Sequence, residues 1–76
     1  MNKNASQTLI ENNWSSMPDG SWEKMVNGIT YLIEEIDGYW YIYHSTGLEQ
    51  IDAAKKVEDA ISIVNKREGV EWGWSR

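Results

Sequence analysis

Two dipeptides, Asn27-Gly28 and Asp37-Gly38, constrain this chain more than any other feature in it. Each sits between runs rich in β-branched and aromatic residues. A two-residue type I′ hairpin loop needs positive φ at both central positions, and Asn-Gly and Asp-Gly supply it at the lowest steric cost. The pattern therefore predicts antiparallel strands near 22–26, 29–36 and 39–44. The turns also set the register: Val26 faces Ile29, Lys24 faces Tyr31 and Trp22 faces Ile33, then Ile33 faces Ile42 and Glu35 faces Trp40. One face then collects Trp22, Val26, Ile29, Tyr31, Ile33, Trp40 and Ile42, with Lys24, Glu35 and His44 at its margins. A one-residue slip at either turn would scatter that set. Two turns chosen on local chemistry agree on one apolar face, which is evidence for the meander.

The opposite face carries Glu23, Met25, Thr30, Leu32, Glu34, Ile36, Tyr39, Tyr41 and Tyr43. It has the pattern of neither a plain core nor a plain solvent face.

A helix is expected to cover the first face. In residues 57–69, Val57, Ala60, Ile61 and Val64 fall on one stripe, Glu58 and Asp59 lead, Lys66 and Arg67 close, and Gly69 is available for the C′ position. The competing reading is a strand at Ile61-Ser62-Ile63, because β-branched residues lower helix propensity. Residues 45–56 admit two readings. Thr46-Gly47-Leu48-Glu49 has the form of a capping box, whereas a turn at Ser45-Thr46-Gly47 would lead into an edge strand at 48–53. The strand is preferred, since Lys55 and Lys56 suit a first helical turn badly. Before the Pro18-Asp19-Gly20 turn signal, a short helix at 6–13 with Ile10 and Trp14 on one face competes with disorder through residue 8. Residues 70–74 alternate like a strand. The expected fold is α+β: a three- to four-stranded antiparallel meander (22–26, 29–36, 39–44 and optionally 48–53) with one C-terminal helix near 56–68 packed on one face.

A chain of 76 residues suggests a single domain that buries only roughly 60% of its unfolded surface. It contains no cysteine, so neither a disulfide framework nor a thiolate metal site is available. The N-terminal residues lack the apolar stretch of a secretory signal, and no apolar run is long enough to span a bilayer. A cytoplasmic protein with no membrane partner is the expectation. The charge is unevenly distributed. Residues 1–54 hold eight acids against two bases, while residues 55–76 hold five bases against four acids. The acidic sheet half would repel phosphates, which argues against direct nucleic-acid binding and for a basic protein partner.

Catalytic chemistry is poorly provided for. The single histidine, His44, ends a strand beside Ser45 and Thr46 and reads as a residue of the core margin. Glu34 and Glu35 are adjacent on a strand and point to opposite faces, so they cannot share a substrate. Metal-ligand spacing and glycine-rich phosphate loops are missing, so no metal, cofactor or catalytic residue is expected. The unusual feature is aromatic: five tryptophans and four tyrosines with no phenylalanine. The register sends Trp22 and Trp40 inward. Tyr39, Tyr41 and Tyr43, with Glu23 and Glu34, are the candidate partner-binding residues, because tyrosine offers large contact area at low entropic cost.

The stretch Asp37-Gly38-Tyr39-Trp40-Tyr41-Ile42-Tyr43-His44-Ser45-Thr46-Gly47-Leu48 resembles a hairpin of the small, dimeric, phage-encoded uracil-DNA glycosylase inhibitors, in which an acidic strand, an Asp-Gly turn and a Tyr-x-Tyr-His…Gly-Leu segment occur together. This chain has one more residue between His44 and Gly47, and it departs from that pattern after Leu48. In size, acidity and layout it is also similar to anti-CRISPR proteins. The resemblance implies a phage or mobile-element inhibitor of a host nucleic-acid enzyme, acting as a DNA mimic by presenting carboxylates where phosphates would lie. The alternatives are a homodimeric accessory protein and a carbohydrate-binding module.

Overall fold

In the computed structural model, which describes residues 4–44 and 49–69, the elements run α1 (Ala5–Glu11), β1 (Ser15–Ser16), β2 (Trp22–Val26), β3 (Ile29–Ile36), β4 (Tyr39–His44), β5 (Glu49–Ala54) and α2 (Val57–Arg67). The strands form one antiparallel sheet in the order β1-β2-β3-β4-β5. Both glycine turns adopt the geometry their residues favour: Asn27 and Asp37 each have φ of 53°, followed by Gly28 at 82° and Gly38 at 85°. The register follows from them. Val26 pairs with Ile29, Lys24 with Tyr31, Trp22 with Ile33, Ile33 with Ile42 and Glu35 with Trp40.

The sheet has five strands where three to four were expected. The additional one, β1, is a pair of exposed serines with no apolar alternation to announce it. Its pairing, Ser15 with Glu23 and Ser16 with Trp22, is set by the loop that follows. There Met17 donates its N–H to the Ser21 carbonyl (2.8 Å) and Gly20 to the Met17 carbonyl (3.0 Å). The Asp19 carboxylate accepts from the Ser21 N–H (3.0 Å) and hydroxyl (2.6 Å), closing the loop from inside.

Residues 49–54 are strand, not helix, and run one residue past the expected end. The pairing of β4 with β5 shifts register between Ile42 and Tyr43, leaving Ile51 unmatched. Such a bulge bends the strand and re-aims a side chain, and Ile51 packs against the core. The turn expected at 45–47 and the strand expected at 70–74 lie outside the described residues.

Both helices sit on the same face of the sheet. In α2 the expected stripe of Val57, Ala60, Ile61 and Val64 is buried, Glu58 and Asp59 occupy the first turn, and Lys66 and Arg67 the last. Gly69 follows the C-cap with φ of 69°. The β-branched residues do not divert this segment to strand. Packing against β4, β5 and α1 outweighs a propensity difference of a few tenths of a kcal/mol per residue.

The N-terminal segment corrects the expectation that Ile10 and Trp14 share a helical face. Asn4 caps α1, its Oδ1 accepting the Gln7 N–H at 2.8 Å, so the helix starts one residue before the expected position 6. Leu9 is the residue that goes inside, while Ile10 is 61% exposed. Helical spacing does not extend to Trp14, because α1 ends at Glu11 and the chain reverses through Asn13 at φ of 70°. Trp14 is buried from beyond the helix.

The core is the closed space between the inner sheet face and the helices. Val26, Tyr31, Ile33, Trp40 and Ile42 meet Val57, Ala60, Ile61 and Val64, with Leu9 and Trp14 closing one side. Trp22 is partly buried against this cluster. Each fully buried aliphatic side chain contributes about 1.5–3 kcal/mol.

Candidate functional site

Strand alternation puts every second residue of β2, β3 and β4 on the face away from the helices. All five sequence-predicted contact residues, Glu23, Glu34, Tyr39, Tyr41 and Tyr43, lie there. The pairing orders them. Leu32 stands opposite Tyr43, Glu34 opposite Tyr41, and Ile36 opposite Tyr39, while Glu23 flanks Leu32 from the other side. Directly opposed residues on one face have Cβ atoms about 4.5–5.5 Å apart, so each pair forms a contiguous patch. Among the described residues no helix covers this face. Ile36 and Tyr39 are each 42% exposed and Met25 67%, whereas Glu23, Leu32, Glu34, Tyr41 and Tyr43 are half-buried.

The face is not flat. The loop between β1 and β2 stands over one end of it and creates an open depression of about 230 Å³ lined by Asp19, Ser21, Leu32, Glu34 and Tyr43. This brings Glu34 and Tyr43 together but leaves Tyr39, Tyr41 and Glu23 outside. Glu23 instead lines a more polar depression of about 440 Å³ with Asn13, Ser15, Lys24, Met25 and Thr30. The predicted residues thus share a surface without converging on one pocket.

Two residues of the smaller depression were missed by sequence reasoning. Pro18-Asp19-Gly20 signals a turn but not the direction in which that turn carries Asp19. An Asp two residues before a Ser commonly folds back onto it, which would have flagged Asp19 as held in place. The Ser21 hydroxyl, then its backbone N–H, hold the Asp19 carboxyl below its ordinary range, so it keeps its negative charge. Glu34, half-buried, has no hydrogen-bond or ion-pair partner among the described residues.

A second polar constellation lies on the inner face, where α2 ends. The Tyr31 hydroxyl donates to the Glu68 carboxylate, and Asn27 Nδ2 donates to the Glu68 backbone carbonyl (2.9 Å) and to its Oε1 (3.3 Å). Arg67 Nη2 lies 3.3 Å from His44 Nε2, and the Tyr31 and His44 rings meet edge to face with centroids 5.1 Å apart. Guanidinium is a donor only, so this contact has His44 Nε2 as acceptor. Burial, then the bond to Glu68, push the Tyr31 phenol up, and the Tyr31 bond lowers the Glu68 carboxyl. The arrangement ties the first hairpin turn and the end of β4 to the C-terminus of α2. His44 therefore occupies the margin of the core, with its ring engaged on both sides.

Among the described residues, no group of three or more His, Asp or Glu side chains is placed to hold a metal ion, and no helix is long and apolar enough to cross a membrane. Comparison with protein families, with curated proteins and with solved structures finds no match to this chain.

Proposed function

We propose that this chain is a small protein-binding inhibitor, of phage or mobile-element type, that blocks a basic, nucleic-acid-handling enzyme through the outer face of its sheet. The observation that carries the reading is that face itself. Tyr39, Tyr41 and Tyr43 stand beside Leu32 and Ile36, with Glu23 and Glu34 among them, and no described helix covers them. Aromatic side chains with polar ends suit a surface that must be wet when free and dry when bound. Carboxylates on the same surface steer a positively charged partner and disfavour acidic ones. The net charge of −5 acts in the same direction. Nothing in the reading requires a catalytic residue, a cofactor or a metal.

Capture from a bacterial lysate on immobilised protein tests it. The expected result is retention of a basic nucleic-acid-handling protein, elution as salt is raised through the range where exposed charges are screened, and loss of capture on Tyr41→Ala. Tyr41→Ala should leave the unfolding midpoint nearly unchanged, which separates lost contact from lost fold. Capture that is indifferent to salt, and that brings down no such protein, would sink the proposal.

A homodimeric accessory role is the second reading, favoured by the exposure of Ile36 and Tyr39 side by side. Sedimentation decides it. A stable dimer that dissociates on Tyr41→Ala, with no other protein captured, would replace the inhibitor reading.

A further inference from the structure

The depression beneath the β1–β2 loop combines three properties that rarely coincide on an exposed sheet. Its lining combines an apolar side chain, Leu32, an aromatic ring, Tyr43, and two carboxylates, Asp19 and Glu34. We infer that this depression receives a single arginine side chain projecting from the partner protein. The inference rests on the protein-binding role proposed for this face, and it names the chemistry that one subsite recognises.

Each lining residue has a use in that occupancy. An arginine carries three methylenes that want an apolar surface, and Leu32 provides one. Its guanidinium is planar and weakly hydrated, so it stacks on an aromatic face, and Tyr43 stands opposite Leu32 across the strand pair. Its five N–H donors need fixed acceptors. Asp19 is such an acceptor, because Ser21, itself buried, holds the carboxylate at 2.6 Å and 3.0 Å. Glu34 is the other. It is half-buried, has no hydrogen-bond or ion-pair partner among the described residues, and so leaves its acceptor oxygens available to an incoming guanidinium. A volume of about 230 Å³ suits one long side chain and is too small for a folded element. Lysine fits less well, since an ammonium ion is compact, strongly hydrated and does not stack.

The experiment uses the intact protein and the capped tripeptide acetyl-Gly-Arg-Gly-amide, titrated while backbone amide shifts are followed by NMR. The expected result is saturable movement centred on Ser21, Leu32, Glu34 and Tyr43. The lysine peptide should bind several-fold more weakly, and the uncharged citrulline peptide should cause no shift. Glu34→Gln should weaken the arginine peptide about tenfold, the usual effect of removing one partner of a charge-assisted contact. Tyr43→Leu keeps the apolar bulk and should lower the preference for arginine over lysine. Equal responses to arginine and citrulline, shifts spread over the sheet, or shifts that follow protein concentration instead of peptide would each overturn the inference. The two proposals fail separately. A partner still captured by Glu34→Gln but lost on Tyr41→Ala keeps the docking face and removes the arginine subsite. A specific peptide site with no partner captured does the reverse.

Discussion

The two faces of this sheet are cut from the same strands and carry comparable loads of large side chains, yet among the described residues helices close only one. On the inner face Val26, Tyr31, Ile33, Trp40 and Ile42 are buried beneath α1 and α2. On the outer face Leu32, Ile36, Tyr39, Tyr41 and Tyr43 remain half-buried or exposed among the described residues. Apolar content does not separate them. What separates them is a matching surface on the inner side, the stripe of α2, and the use of side chains with polar ends on the outer side, which no helix covers among the described residues. An aromatic sheet face that no described element covers is where a binding function is to be sought.

The comparison breaks most directly at a pair of isoleucines on β3. Ile33→Ala opens the core and should cost roughly 2–5 kcal/mol, whereas Ile36→Ala, on the other face, should cost less than about 1 kcal/mol. Urea midpoints measure both. Equal losses would mean that the outer face is closed after all.

A smaller effect separates the two hairpin turns, which look equivalent in sequence. Asn27 uses its amide to cap the end of α2, while the Asp37 side chain makes no such bond among the described residues. Asn27→Asp keeps a residue that tolerates positive φ but removes the donor and sets a carboxylate against Glu68. It should cost about 1–2 kcal/mol. Asp37→Asn should stay within about 0.5 kcal/mol. If both are neutral, the link between the first turn and α2 contributes nothing to stability.

The smallest expected effect is in the pH profile of the unfolding midpoint. The Glu68 carboxyl is lowered in the folded protein by its bond from Tyr31. Its contribution is therefore present above the ordinary value of 4.5 and is lost as pH falls through the lower folded value. The Tyr31 phenol is raised, so its contribution is present below the ordinary value of 10.0 and is lost as pH climbs through the higher folded value. Glu68→Gln should flatten the acid limb and Tyr31→Phe the alkaline one. An unchanged profile in Tyr31→Phe would show that the hydroxyl is not coupled to folding.

Much of this was legible from local chemistry. Asn-Gly and Asp-Gly admit so few conformations that three strands and the alternation of their faces followed from them, and the stripe in 57–64 announced α2. The pair Ser15–Ser16 was not legible, because nothing in two serines favours a strand until β2 lies beside them. Ile10 and Trp14 do not share a helical face because periodicity holds only as far as the helix, and α1 stops at Asn12-Asn13, where Asn13 takes φ of 70° and the Trp14 N–H returns to the Leu9 carbonyl (2.9 Å). In the candidate site, alternation along the strands brought Glu23, Glu34, Tyr39, Tyr41 and Tyr43 to one face. The depression was invisible, since Asp19 reaches it from a loop whose direction no strand pattern encodes.

By itself, then, the sequence determined the partition of side chains between two faces, because register in a tight hairpin is a local property of two residues. Only the tertiary structure decided that β1 joins the sheet, that Asn27 and Glu68 meet, and that Asp19 and Glu34 line one depression. Those outcomes depend on contacts between residues far apart in the chain, whose free energy appears only once helices and sheet have packed.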